Sequence, residues 1–237
     1  TMLWQNFNKM LAITNLETGY GKKHVVHGAT LHVGAGEVVS LLGRNGMGKT
    51  TSLRTIMGMN RAWRGKVEFR GKDITNSKPH TISQLGLGYV PEGRGIFPNL
   101  TVRENLEMSR RPGRWTTERV FELFPRLKDR LANWGNQLSG GEQQMLAIGR
   151  ALLLNPSLIM LDELTEGLAP LVQQEIWSCL HRISNDGISI LVVDKNIRAL
   201  LPISQRHYIM QKGEICWSGS SEELQRNRTE LDRYVTL

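Results

Sequence analysis

The sequence predicts an α/β fold with a mostly parallel core sheet, an antiparallel β part near the N-terminus and an inserted helical subdomain. Three observations predict the core. Val38-Val39-Ser40-Leu41-Leu42, Ser157-Leu158-Ile159-Met160-Leu161 and Ile188-Ser189-Ile190-Leu191-Val192-Val193 are short, nearly continuous apolar runs, as expected of strands buried on both faces. The first leads directly into Gly43-Arg44-Asn45-Gly46-Met47-Gly48-Lys49-Thr50, which fits G-x-x-x-x-G-K-[ST] in full and is followed, from Thr51 to Met57, by a helical stretch. The second ends in Asp162-Glu163, two carboxylates at the carboxyl end of a strand, where open α/β sheets bind ligands.

Composition sets the outer bounds. A chain of 237 residues with 40% hydrophobic content is long enough for a large core and fits one domain over residues 1–237. The net charge of +8 suits nucleotides, anionic membrane surfaces or nucleic acid alike. No run of about five like charges marks a nucleic-acid tail. Cys179 and Cys216 lack the spacing of a metal site or disulfide framework; both sit among apolar residues and are expected to be buried thiols. No apolar run reaches about eighteen residues, so no membrane-spanning helix is expected. Thr1 to Met10 carries no long apolar region or cleavage signal; it reads as an extended start without a secretory leader. The cytosol is the expected compartment.

In chain order, Met10 to Thr14 opens a strand, Gly19 to Lys23 is a turn, and Val25 to Val33 is a second strand. Short turns between early strands favour antiparallel pairing. Tyr20, an aromatic in a glycine turn, is either a surface residue or a stacking platform for a base. Val67 to Phe69 is a short strand, Pro79 to Leu85 a helix with Pro in its first turn, and Gly88 to Val90 a strand leading into the Gly- and Pro-rich segment Pro91 to Gly95. Thr101 and Glu104 form a capping box, and a second helix follows Thr116. Residues 93–150 thus read as a helical subdomain inserted between core segments 10–92 and 151–237. Within it, Leu138-Ser139-Gly140-Gly141-Glu142-Gln143-Gln144 starts an apolar helix capped by Ser139; this is either a simple capped helix or an anion-binding helix start. Pro170 to Ser184 is an amphipathic helix, two short strands lie near His207–Met210 and Glu214–Trp217, and helical segments follow Ser220.

The chemistry follows from the residue types. Glycines let backbone N–H groups turn inward onto phosphate oxygens, and the helix start adds its positive dipole end. Lys49 would reach the terminal phosphates and the Thr50 hydroxyl would hold Mg²⁺. Asp162 can support the same ion, and Glu163 stands where a carboxylate can deprotonate water.

Three motifs in this order and spacing resemble an ABC-transporter ATP-binding subunit: Gly43 to Thr50, Leu138 to Gln144, and the strand ending in Asp162-Glu163. Val90-Pro91-Glu92-Gly93-Arg94 and Thr165-Glu166-Gly167-Leu168-Ala169-Pro170 are similar to the smaller ATPase subunit of the branched-chain amino-acid importer family, which also serves urea, amides and aromatic acids. The resemblance implies ATP and Mg²⁺ as ligands, with Tyr20 stacking on adenine. Gly43, Arg44, Asn45, Gly46, Met47, Gly48, Lys49, Thr50 and Thr51 would line the phosphates. Glu92 would lie near the γ-phosphate, the metal and the permease contact; Thr50 and Asp162 would hold Mg²⁺, and Glu163 would be the general base. Ser139, Gly140 and Gly141 would meet ATP held by a second ATPase subunit, a related but different chain in preference to a second copy of this one (hetero- or homodimer), and Glu166 to Ala169 would cross that interface. Further implied partners are integral-membrane permease subunits and, indirectly, a solute-binding protein, with the chain on the cytoplasmic face of the membrane and no nucleic acid involved. A soluble cassette ATPase of nucleic-acid repair or translation, or a lipid-exporter subunit, is the alternative.

Two positions depart from the family pattern. Leu164 replaces the Pro after Glu163, which frees φ and loosens the segment by about 0.4–1 kcal/mol. Lys195 stands where the superfamily has His and this family often has Gln. A lysine can stabilise phosphate as a point charge but cannot relay a proton as a neutral ring does, so the two ATP sites of an assembly are expected to be unequal.

Overall fold

A computed structural model describes residues 9–226. The extended start expected for Thr1 to Met10 lies almost wholly outside them. Two sheets organise the described chain. The first is antiparallel, in the order β2-β1-β4-β5, from β1 (Lys9–Tyr20), β2 (Lys23–Gly34), β4 (Ala62–Phe69) and β5 (Lys72–Asp73). The second has the order β10-β9-β3-β8-β7-β6, from β3 (Val38–Leu42), β6 (Leu87–Val90), β7 (Leu158–Asp162), β8 (Ser189–Val193), β9 (Arg206–Gln211) and β10 (Glu214–Ser220). It is parallel from β9 to β6, and β10 closes it antiparallel to β9.

The period-two geometry of the strands splits their apolar residues between two cores. Val38, Leu42, Ile159, Leu161, Ile190 and Val192 face one core, which is completed by α6 (Gly140–Leu153) and α7 (Pro170–Asn185). Val39, Leu41, Leu158, Met160, Leu191 and Val193 face the other, packing against the antiparallel sheet and α1 (Lys49–Ile56). Burial on both faces is why these strands read as unbroken apolar runs rather than as alternating ones. The short α2 (Pro79–Gln84) precedes β6. Between β6 and β7 the described chain carries α3 (Val102–Glu107), α4 (Thr117–Leu123), α5 (Pro125–Asp129), a 3₁₀ turn at Gly135–Gln137 and α6. The predicted box at Thr101 and Glu104 is present on both sides, and Thr116 caps α4. The short α8 (Ile197–Leu200) follows β8, and α9 (Ser221–Arg226) ends the described chain.

Three expectations need correction. The turn expected over Gly19 to Lys23 contracts to Gly21-Lys22, because β1 runs on to Tyr20 and β2 begins at Lys23. The strand expected at Val67–Phe69 begins at Ala62: Trp63 to Lys66 are exposed and break any apolar run, so hydrophobicity did not reveal it, yet it pairs with β1 as far as Thr18. Cys179 is buried as expected, but Cys216 is exposed, at an irregularity of the strand β10 where its thiol donates to the Ile209 carbonyl of β9 at 3.4 Å.

Candidate functional site

β3 delivers the chain into the glycine loop, and the loop's shape depends on its glycines. Gly43 takes φ 142°, and a Cβ there would stand 2.3 Å from the Met210 carbonyl oxygen of β9. Gly46 and Gly48 take φ 76° and 105°, a region in which side chains are strained. Gly48 is the N-cap of α1, so helical N–H groups open onto the loop. The β9–β10 turn braces it from the side, the Gly213 N–H donating to the Met47 carbonyl at 3.0 Å. Met210 and Gly213 are supports that sequence reasoning missed, for they lie some 165 residues further along the chain.

Lys49 is 4% exposed and folds back on its own loop, its Nζ donating to the carbonyls of Gly43 at 2.8 Å and Arg44 at 2.9 Å. Burial holds its pKa below the usual lysine value, against the pull of Glu163 and Asp162. The Thr50 hydroxyl donates to Asp162 Oδ1 at 3.1 Å, and the Tyr89 hydroxyl donates to Asp162 Oδ2 at 3.2 Å. Asp162 is fully buried at the end of β7; burial raises its pKa, the two hydroxyl bonds opposing the rise. Tyr89, on β6, gave no sequence signal as a site residue, and only strand pairing brings it beside Asp162.

Glu163 leaves the strand end with φ 48°, a conformation costing about 1–3 kcal/mol that persists only when its surroundings impose it. Its N–H is held by the Val193 carbonyl at 2.8 Å. The next turn is fixed by Asp194, which accepts from the Thr165 N–H and hydroxyl at 3.2 and 2.9 Å. Leu164 between them is buried in the core. Burying a leucine is worth about 1.5–3 kcal/mol, more than the loosening expected from the missing proline, so Leu164 anchors this turn. Burial, followed by a hydrogen bond shared with Glu166, pushes the Glu163 carboxyl up to about 7.

The carboxylates of Glu92, Glu163 and Glu166 converge, with oxygens within 4.8 Å of one another. Lys195 is aimed at these acids: its Nζ lies 2.8 Å from Glu166 and 3.9 Å from Glu163. The charges of Lys195 and Lys49 both oppose the rise in the Glu163 pKa. A cleft of about 550 Å³ opens over the glycine loop, bounded by Tyr20, Lys49, Thr50, Glu92 and Glu163. Tyr20, at the end of β1 and 46% exposed, lines the cleft together with His24, whose ring centroid lies 5.1 Å from that of Trp63. Ser139, Gly140 and Gly141 do not line this cleft. Ser139 instead caps α6, accepting from the Glu142 N–H at 3.3 Å while its own N–H donates to the Glu142 carboxylate. Thr50 and Asp162 offer adjacent hard oxygens, a donor set that suits Mg²⁺.

A glycine loop between β3 and α1, beside the acids at the end of a parallel strand, is the geometry of a phosphate-loop nucleotide hydrolase. The family model for ABC transporters matches residues 26–166. The chain is 37% identical to the high-affinity branched-chain amino acid transport ATP-binding protein BraG of Pseudomonas aeruginosa, over 95% of this chain and 99% of that protein. It is 35% identical to the lipopolysaccharide export system ATP-binding protein LptB of Haemophilus influenzae, over 91% of this chain and 92% of that protein. A nucleotide-free ATP-binding cassette from an ABC transporter superposes with a TM-score of 0.81 at 27% identity, covering 94% of this chain and 95% of that one. The chain belongs to the ABC transporter family, as an ATP-binding subunit that hydrolyses ATP.

Proposed function

We propose that the chain powers a membrane importer for branched-chain amino acids or a related small polar solute, by closing on ATP as one half of a dimer. The observation that carries this reading is the similarity to BraG over nearly the whole of both chains. The separation of Ser139 from the phosphate cleft supports the dimer, since one chain offers a loop and a signature helix that do not meet. A dimeric bacterial ABC transporter cassette is similar to this chain at 27% identity, with a TM-score of 0.78 over 90% of this chain and 99% of that one. In this reading residues 93–150 form a helical unit that moves against a core of 10–92 and 151–237 and engages integral-membrane permease subunits. A solute-binding protein delivers the solute from the other side, and the chain sits on the cytoplasmic face of the membrane.

The reaction is in-line attack of water on the γ-phosphorus, with ADP leaving; catalysis is mostly positioning and charge stabilisation. Glu163 accepts the proton of the attacking water. Lys49 leaves the Gly43 and Arg44 carbonyls and turns to the β- and γ-phosphates, while loop N–H groups hold the phosphate oxygens. Thr50 and Asp162 would hold Mg²⁺, with Glu92 at its edge; the ion would supply charge neutralisation of the phosphate oxygens. Tyr20 stacks on the adenine. Lys195 stabilises phosphate charge from the side of Glu166, and Ser139 and Gly141 complete the site of the opposite subunit.

The similarity to LptB favours a second reading, a lipid-exporter subunit. Purification of the tagged chain with its membrane partners, followed by reconstitution in liposomes, separates the two. Stimulation of ATPase by a solute-binding protein loaded with leucine supports import, whereas stimulation by lipopolysaccharide alone would replace it with export.

A further inference from the structure

We infer that Arg94 is a positioning residue that ties the loop carrying Glu92 to the signature helix α6, so that the ATP held by one chain sets the placement of Ser139 for the ATP of its partner. This rests on the dimer reading above.

The loop after β6 spends backbone freedom to aim Arg94. Arg94 takes φ 65°, a left-handed conformation that a residue with a Cβ avoids, and Gly95 beside it takes φ 65° as well. The turn is closed by the Arg94 N–H donating to the Pro91 carbonyl at 2.9 Å. The guanidinium, so aimed, donates from Nη1 to Gln143 Oε1 at 2.6 Å, in the first turn of α6. Gln143 passes the contact on: its Nε2 donates to the carbonyls of Gly135 at 3.1 Å and Leu138 at 3.3 Å, the segment that delivers Ser139.

A second observation comes from Gly140. A Cβ built there would stand 3.0 Å from Arg94 Nη2. Within this chain, the first glycine of the signature pair makes room for the Arg94 guanidinium. Two helical turns further along α6, Arg150 donates to the Gly95 carbonyl at 2.5 Å and stacks its guanidinium 4.5 Å over the Phe97 ring. Residues seven apart lie on one helix face, so Gln143 and Arg150 hold the loop at two points along the same side of α6. Arg94 itself does not line the phosphate cleft, whereas Glu92, two residues before it, does. A shift of Glu92 on ATP binding therefore reaches the signature through Arg94 and Gln143, an element with physical continuity between the two sites.

The test uses the full chain in its purified membrane assembly. Arg94→Ala should lower kcat about tenfold while leaving the affinity of the chain for MgATP within about twofold, since contacting residues that act as a unit couple at this scale. Gln143→Ala should do the same, and the double variant should be no worse than the weaker single. Arg94→Lys, which keeps a donor within reach of Gln143, should recover most of the loss and shows that the loss in Arg94→Ala is not misfolding. Independent, multiplying losses from the two single variants, a kcat for Arg94→Ala within about twofold of the parent, or a loss confined to MgATP affinity each overturn the inference. Failure of the underlying reading is visible separately, as a Glu163→Gln chain that binds MgATP and remains monomeric.

Discussion

Glu163 concentrates the site's chemistry into one side chain. Its raised pKa of about 7 has a direct consequence for rate. In its proposed role of general base Glu163 works only when deprotonated, so kcat/KM should fall about tenfold per unit as pH drops below that value and level off above it. A plateau extending down to pH 5 would remove Glu163 from the role of base. Glu163→Gln should lower ATP turnover by about 10²–10⁴-fold, as loss of a general base does, while MgATP binding persists because Lys49 and the loop are untouched. Lys195 poses the opposite question. Its ammonium already rests on Glu166 and Glu163, so under the proposed mechanism it would both carry charge toward the phosphates and restrain the base. Lys195→Ala and Lys195→His should each alter the ATPase rate of the assembled transporter; unchanged rates in both would leave Lys195 a surface ion pair of little weight.

Among the elements, the segment between β6 and α6 is held by buried polar side chains. Asn105, fully buried in α3, accepts from the Phe97 N–H at 2.9 Å and donates to the carbonyls of Phe97, Leu100 and Thr101. Asn105→Ala strands these groups and should cost about 1–3 kcal/mol, read as a lower urea midpoint at unchanged slope. The edge of the parallel sheet holds a comparable device. His207 on β9 bonds Ser40 on β3 through Nδ1 and Ser221 at the start of α9 through Nε2. Burial depresses its pKa to about 4, and burial with the nearby Arg206 charge does the same to His32. A depressed pKa means that the unfolded chain binds the extra proton first. The stability these histidines contribute is thus present above about pH 6.5 and lost as pH falls from there toward 4. Urea midpoints should decline over that window, and His207→Gln should flatten the decline; an identical pH dependence in the variant would assign the effect elsewhere.

For the whole molecule, the decisive feature is that the phosphate cleft and Ser139 are apart within one chain. Glu163→Gln with MgATP should therefore accumulate a dimer by light scattering, and without nucleotide the same chain should run smaller. Much of this was legible beforehand because local rules dictate it. A loop that must close on phosphate needs glycines at fixed spacing; a strand buried on both faces must be apolar throughout; a capping box pairs Thr101 with Glu104, and a serine such as Ser139 caps the helix that follows it. Each of those relations spans only a few residues, so the sequence by itself determined the parallel core, the phosphate loop, the acids at the end of β7 and the capped signature helix. What spans the chain was decided only by tertiary structure. Strand order set Tyr89 beside Asp162, the β9–β10 turn against the glycine loop, and Lys195 against Glu163 and Glu166. Packing turned Leu164 from a missing proline into a core anchor. The physical reason is common to all of these: such contacts are chosen by the pairing of distant strands and the filling of a shared core, which no local pattern of residue types encodes.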